Sequence, residues 1–167
     1  FLRKVWPMER KNLSTSESLP KIYVVVAGCR WFNNVEFIFA HLDHYLRNRC
    51  KDNCVIVSGL ATGPDSIAID WAKSRGFDWL EFPADWASAP RAAGMLRNGE
   101  MAKISTHLIA FWDFKSRGTE DMIKRAVKKD MRVEIVKIGV GLCLGKKLQN
   151  LSWRKWKNSS QEVQTRH

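Results

Sequence analysis

The chain has 167 residues, 45% of them hydrophobic, with eight tryptophans and a formal net charge of +11. That length suits one domain with a sizeable core and some tail, and the apolar content excludes a disordered protein. No apolar run approaches the ~20 residues that cross a bilayer, and residues 1–19 are charged and Ser-rich without the apolar stretch of a secretory signal, so no membrane contact and a cytoplasmic location are expected.

Residues 1–20 read as a flexible N-terminal segment; Phe1 is not a start methionine and Met8 is the first, so residues 1–7 read as an upstream addition. Ile22 to Ala27 is a continuous apolar run of strand length ending at Gly28, the pattern of a parallel strand buried on both faces. Val35 to Arg49 places Phe37, Ile38, His41, Leu42, Tyr45 and Leu46 at helical spacing, with Asn33 or Asn34 as cap. Val55 to Ser58 is a second strand, and residues 63–75 a second helix, with Pro64 and Asp65 in its first turn and Gly76 at its end. Trp79 to Phe82 predicts a third strand and Arg91 to Ile104 a third helix. Leu108 to Trp112, Thr119 to Lys129 and Arg132 to Ile138 continue as strand, helix and strand. The expected fold is therefore α/β: a Rossmann-like, doubly wound parallel sheet of about five strands, with helices on both faces, over residues 21–138. Residues 139–167 are expected to form a basic, Trp-containing tail.

The charge is unevenly placed. Residues 1–20 hold four basic and two acidic side chains and residues 139–167 hold six and one, so only +4 of the +11 falls on 21–138. A modestly basic core suits a small anionic ligand as well as a polymer. The tail, from Lys146 through Trp153-Arg154-Lys155-Trp156-Lys157, interleaves cations with indoles, which suits phosphate contact and base stacking; a terminal helix packing its tryptophans back on the domain has the same pattern. Cys29, Cys50, Cys54 and Cys143 are too few and too scattered for a disulfide scaffold or a zinc site and read as reduced thiols. His41 and His44 lie three apart without a Glu-x-x-His partner pattern, and no Ser-His-Asp or Cys-His grouping is visible, so neither a metal nor another cofactor is expected.

Ligands of such sheets bind beyond the carboxyl ends of the strands, and the unusual residues gather there. Gly28-Cys29-Arg30-Trp31 follows strand one, Ser58-Gly59 to Asp65 strand two, Pro83 to Trp86 strand three, and Asp113 to Asp121 strand four. In the last, Ser116-Arg117-Gly118-Thr119 joins a strand to a helix start, where unpaired amides and the helix dipole attract an anion. Arg30, Arg97 and Arg117 offer guanidinium forks for phosphate oxygens, while Asp65 or Asp85 is suited to ribose hydroxyls. Plainer roles stand beside these: Asp65 and Thr119 as helix caps, Arg97 paired with Glu100 or Asp85, and Trp31, Trp86 and Trp112 as packing.

These segments, with Arg91-Ala92-Ala93-Gly94, Arg97-Asn98 and Met101, occur in an order and spacing that resembles the YspA/YpsA-related branch of the SLOG superfamily. The resemblance implies a Rossmann-like domain holding a nucleotide or nucleotide-derived ligand, which it senses or sequesters. Gly28 and Arg30 would line the nucleoside side, Gly59, Gly63 and Asp65 the second loop, Arg97 and Asn98 the pocket, and Arg117, Gly118 and Thr119 the phosphate. Relatives include Lonely Guy phosphoribohydrolases and the DNA-processing protein, and they often form dimers, so a homodimer is one expected arrangement. In Lonely Guy enzymes a glutamate stands three residues after the loop threonine; here that position is Met122. Binding is therefore expected first, with the catalytic residues unassigned. Hydrolysis of a nucleotide N-glycosidic or phosphate bond, through Asp65, Asp85 or Glu120, is the alternative, and DNA or RNA binding through the basic flanks the weaker one.

Overall fold

The computed structural model of the chain describes residues 20–139 and the strand Leu151–Ser152. The N-terminal segment, Cys143 and most of the basic tail lie outside the described residues. Five parallel strands, β1 (Ile22–Gly28), β2 (Cys54–Ser58), β3 (Asp78–Glu81), β4 (His107–Trp112) and β5 (Arg132–Lys137), alternate with four helices: α1 (Val35–Leu46), α2 (Pro64–Arg75), α3 (Ala93–Ile104) and α4 (Arg117–Lys128). The strand order is β3-β2-β1-β4-β5-β6, the last being Leu151–Ser152, so the chain reverses direction across the sheet between β1 and β4. This is the Rossmann-like α/β architecture read from the apolar runs.

Those runs form the middle of the sheet because only there are both faces covered. Val24, Val25, Val26, Ile56, Val57, Leu108, Ile109, Ala110 and Phe111 are wholly buried. α1 packs with α2 and α3 with α4, as right-handed crossovers in this strand order require, one pair on each face. Across the first pair, Trp71 of α2 is buried and donates its indole N–H to Asp43 of α1 at 2.9 Å, while Arg75 grips both oxygens of the same carboxylate.

Local signals set most boundaries. Asn34 caps α1 by accepting the Phe37 amide at 3.0 Å, and Gly76 closes α2 in the left-handed conformation at φ 73°. α1 ends at Leu46, short of the expected Arg49, and a 3-10 turn at Lys51–Asn53 leads into β2. α4 begins at Arg117 rather than Thr119, because Ser116 occupies the cap position and Thr119 turns inward, donating its hydroxyl to Ser116 Oγ. β6 lies inside the segment expected as a tail. It pairs antiparallel with β5, Ile135 opposite Leu151, and so covers a strand that would otherwise present an open edge.

Cys29 and Cys54 are buried, and burial pushes both thiols up to about 11; Cys50 is exposed. All three are free, and among the described residues no three His, Cys, Asp or Glu side chains cluster as a metal site. No described helix is long and apolar enough to cross a membrane.

His41 sits in the core between Phe37 and Phe111, neither ring nitrogen having a partner among the described residues. Burial pushes it down from 6.5 to about 4, with His44 adding to the effect; His107 falls to about 4 by burial and by Arg49 and Arg132. The unfolded chain takes up protons on these imidazoles near pH 6.5, and the folded chain resists until about pH 4. Stability therefore falls as pH drops through that window, by on the order of 2–3 kcal/mol for each. Replacing His41→Leu should leave stability at pH 7.5 within about 1 kcal/mol and remove that share of the acid sensitivity, as read by urea unfolding at pH 7.5 and 4.5. An unchanged pH dependence in the variant rejects the assignment.

Candidate functional site

Above the carboxyl ends of β1, β2 and β3 lies an open cleft of about 330 Å³, lined by Arg30, Gly59, Leu60, Ala61, Thr62, Pro83, Ala84, Trp86 and Arg97. Three loops and one helix build it: Arg30 comes from the β1–α1 loop, Gly59 to Thr62 from β2–α2, Pro83 to Trp86 from β3–α3, and Arg97 from α3.

The framework behind the cleft is polar and buried. Asp65, at the start of α2, is 2% exposed, and its carboxylate takes the amides of Gly28, at 3.2 Å, Gly59 and Ala61. Burial raises it to about 6, outweighing the charge of Arg97 and those amides. Protonating it favours the folded chain, so its contribution is lost as pH rises from about 3.8 to 6, opposite in sense to the histidines. Ser58 Oγ donates to the Asp65 carbonyl at 2.6 Å and accepts the Leu60 amide at 3.1 Å. Leu60 is held at φ 57°, a left-handed conformation unusual for a leucine, and its side chain is exposed at the cleft.

Arg97 lies flat against Gly59. Its Nη1 donates to the Gly59 carbonyl and its Nη2 to Asn98 Oδ1 at 3.3 Å. A Cβ on Gly59 would stand 2.5 Å from the guanidinium carbon, so glycine is what lets the arginine approach. Arg30 stands over the ring of Trp86 with its guanidinium carbon 5.7 Å from the ring centre. Trp86 is 49% exposed, and the other exposed large apolar side chains among the described residues (Trp31, Val35, Leu60, Met95 and Leu96) lie in the same loops or at the starts of α1 and α3. The exposed apolar surface therefore collects at this one end of the sheet.

The eleven residues singled out from the sequence separate into three sets. Arg30, Gly59 and Arg97 line the cleft. Gly28, Gly63 and Asp65 stand behind it: a Cβ on Gly28 would meet Pro64 at 2.5 Å, and one on Gly63, at φ 85°, would meet the carbonyls of Cys29 and Phe32 at 2.8 and 2.9 Å. The remaining five lie away from the lining. Asp85 accepts the Ser88 amide in the turn before α3. Asn98 is buried and bridges helices, donating to the Gly118 carbonyl at 3.1 Å and to Asp121 at 3.0 Å. Arg117, Gly118 and Thr119 form the first turn of α4, where a Cβ on Gly118 would meet nothing.

The β4–α4 loop ahead of that turn contains its own anion. Asp113 Oδ1 takes the amides of Lys115 and Ser116, each at 2.9 Å, and Oδ2 accepts the Trp31 indole N–H at 3.1 Å. Although burial opposes ionisation, these donors hold Asp113 well below the usual carboxylate range. Met122, Glu120 and Asp121 are also engaged: Met122 is fully buried, Glu120 pairs with Lys124, and Asp121 pairs with Arg125. Trp86, Thr62 and Pro83 were within segments singled out in the sequence. An aromatic residue in a rim loop was the available signal for Trp86; nothing local marked the other two.

Three glycine substitutions separate framework from lining. Gly63→Ala should cost about 2–4 kcal/mol, since rigid carbonyls and a positive φ both oppose it. Gly59→Ala should cost less, about 1 kcal/mol, because the flexible end of Arg97 can swing away and change the cleft. Gly118→Ala should stabilise by about 0.5–1 kcal/mol, as expected within a helix. Denaturant unfolding of the three variants checks the order; a Gly118→Ala loss equal to that of Gly63→Ala contradicts it.

A comparison of the sequence with curated proteins gave no match. Among solved structures, DNA processing protein A from Streptococcus pneumoniae is similar with a TM-score of 0.58 and 18% identity, over 73% of this chain and 52% of that one. DNA processing protein A from Helicobacter pylori is similar with a TM-score of 0.54 and 18% identity, over 87% and 74%. The chain thus spans about half the length of the Streptococcus protein, and these likenesses concern the fold. Residues 22–88 match the model of the YspA, cpYpsA-related SLOG family. That segment runs from β1 to the loop after β3 and holds every cleft-lining residue except Arg97.

Proposed function

We propose that the cleft above β1, β2 and β3 binds a nucleotide or nucleotide-derived small molecule. The observation that carries this reading is Arg30 held over the half-exposed Trp86 at the mouth of a cleft whose floor is Gly59 and Arg97. An indole face stacks on a base, a guanidinium fork meets phosphate oxygens, and a glycine floor admits a ligand close to the backbone. About 330 Å³ is within the range of small-molecule sites. The SLOG match over the same loops agrees with a nucleotide ligand.

Binding without cleavage is the favoured outcome. No carboxylate among the described residues lines the cleft: Asp65 is buried behind Gly59, Asp85 accepts the Ser88 amide, and Glu120 and Asp121 are tied into ion pairs on α4. Holding the ligand, to sense or sequester it, is then the role we assign to residues 21–138 as a single domain. Single-stranded nucleic acid is a second reading, supported by the exposed indoles of Trp31 and Trp86 beside Arg30. The Helicobacter neighbour is described as binding single-stranded DNA.

Titration with a nucleotide panel, followed by tryptophan fluorescence, tests the proposal. Saturable quenching is expected, lost about tenfold or more in Trp86→Ala and in Arg30→Ala, as for removal of a stacking or charged contact, with the ligand recovered unchanged by chromatography. Product formation would replace binding with hydrolysis. Saturation by an oligonucleotide alone, with a steep salt dependence, would favour the nucleic-acid reading.

A further inference from the structure

Among the described residues the positive charges that line the cleft are few, and one already faces a buried carboxylate. Arg30 and Arg97 are the cations of the lining. Arg97 donates to the Gly59 carbonyl and to Asn98, and its charge is opposed by that of Asp65, which takes the amide of the same Gly59 from the buried side. Arg30 has its contact with Trp86 and no ion pair among the described residues. Arg117 and Lys115 belong to α4 and the loop before it, outside the lining. Among the described residues the lining thus offers a ligand about one positive charge that faces no carboxylate.

Phosphate esters differ in this quantity. A diester carries one negative charge at neutral pH, a terminal monoester about 1.5 to 2, and a di- or triphosphate more. Each further charge finds no partner in the lining. Resting on the ligand reading above, we infer that the cleft selects nucleotides whose phosphate is a monoanionic diester, cyclic or internucleotide, over those with terminal mono-, di- or triphosphates.

The full chain is titrated, at fixed ionic strength and without divalent cations, with 3′,5′-cyclic AMP, the dinucleotide ApA, AMP, ADP and ATP. The diesters are expected to bind at least about fivefold more tightly than AMP, and affinity to stay level or fall from AMP to ATP; cyclic AMP against ApA separates the two diester sources. Asp65→Asn removes the charge opposing Arg97 and should shift the preference toward ADP by about fivefold. Thr62→Lys adds a cation to the lining without touching the buried carboxylate and should shift it the same way, which keeps the test open if Asp65→Asn folds poorly. AMP binding as tightly as the diesters, or affinity that rises from AMP to ATP in the unchanged chain, overturns the charge inference and leaves the cleft reading standing. Binding of no member, or binding indifferent to Trp86→Ala, overturns the cleft reading and the inference with it.

Discussion

One buried carboxylate ties the rim of this domain together. Asp65 accepts amides from the end of one strand and the loop after another, Gly28 closing β1 and Gly59 and Ala61 following β2, and its charge faces Arg97 on α3. Taking a carboxylate out of water is costly unless donors surround it, and here the backbone supplies them. The close packing of glycines around α2 follows from the same arrangement: Gly28 against Pro64, Gly63 against the carbonyls of the β1–α1 loop, and Gly59 against Arg97. The cleft keeps its shape because its floor is backbone held by buried hydrogen bonds.

The position of the cleft departs from the simplest expectation for a sheet of this order. Ligands in doubly wound sheets favour the crevice where strand order reverses, which here lies between β1 and β4. That crevice is bridged by Trp31 bonded to Asp113, and the Asp113 carboxylate takes the loop amides that an outside anion would seek. The opening is displaced toward β2 and β3, where no comparable side chain closes it. Its aromatic wall is Trp86, poised between Arg30 and the first turn of α3, in a loop that crosses from one face of the sheet to the other.

Much of the fold was legible because it is written in local patterns. Continuous apolar runs marked strands buried on both faces, and Asn34, Pro64 and Gly76 marked helix ends through the geometry of their own backbones. Errors fell where two residues of the same type compete for one role. Ser116 and Thr119 are both plausible caps, and only the inward turn of Thr119 toward Ser116 decides between them. β6 is two residues long, too short to show a period, and exists through its pairing with β5.

For the site, strand polarity puts every strand-to-helix loop at one end of the sheet, so the order of elements along the chain already names the loops that gather there. The sequence also names the residue types those loops carry: glycines, arginines, indoles and carboxylates. The tertiary structure decided what each does. Gly28, Gly59, Gly63 and Gly118 look alike as letters, yet a Cβ on them would meet a proline ring, a guanidinium, two carbonyls and empty space. Asn98 and Asp65 proved to be bridges between elements far apart in the chain, Asn98 reaching Gly118 and Asp65 reaching Gly28. Contacts of that kind depend on strand order and on the distance between backbones, which follow from packing the whole sheet and are not encoded in any one stretch of residues.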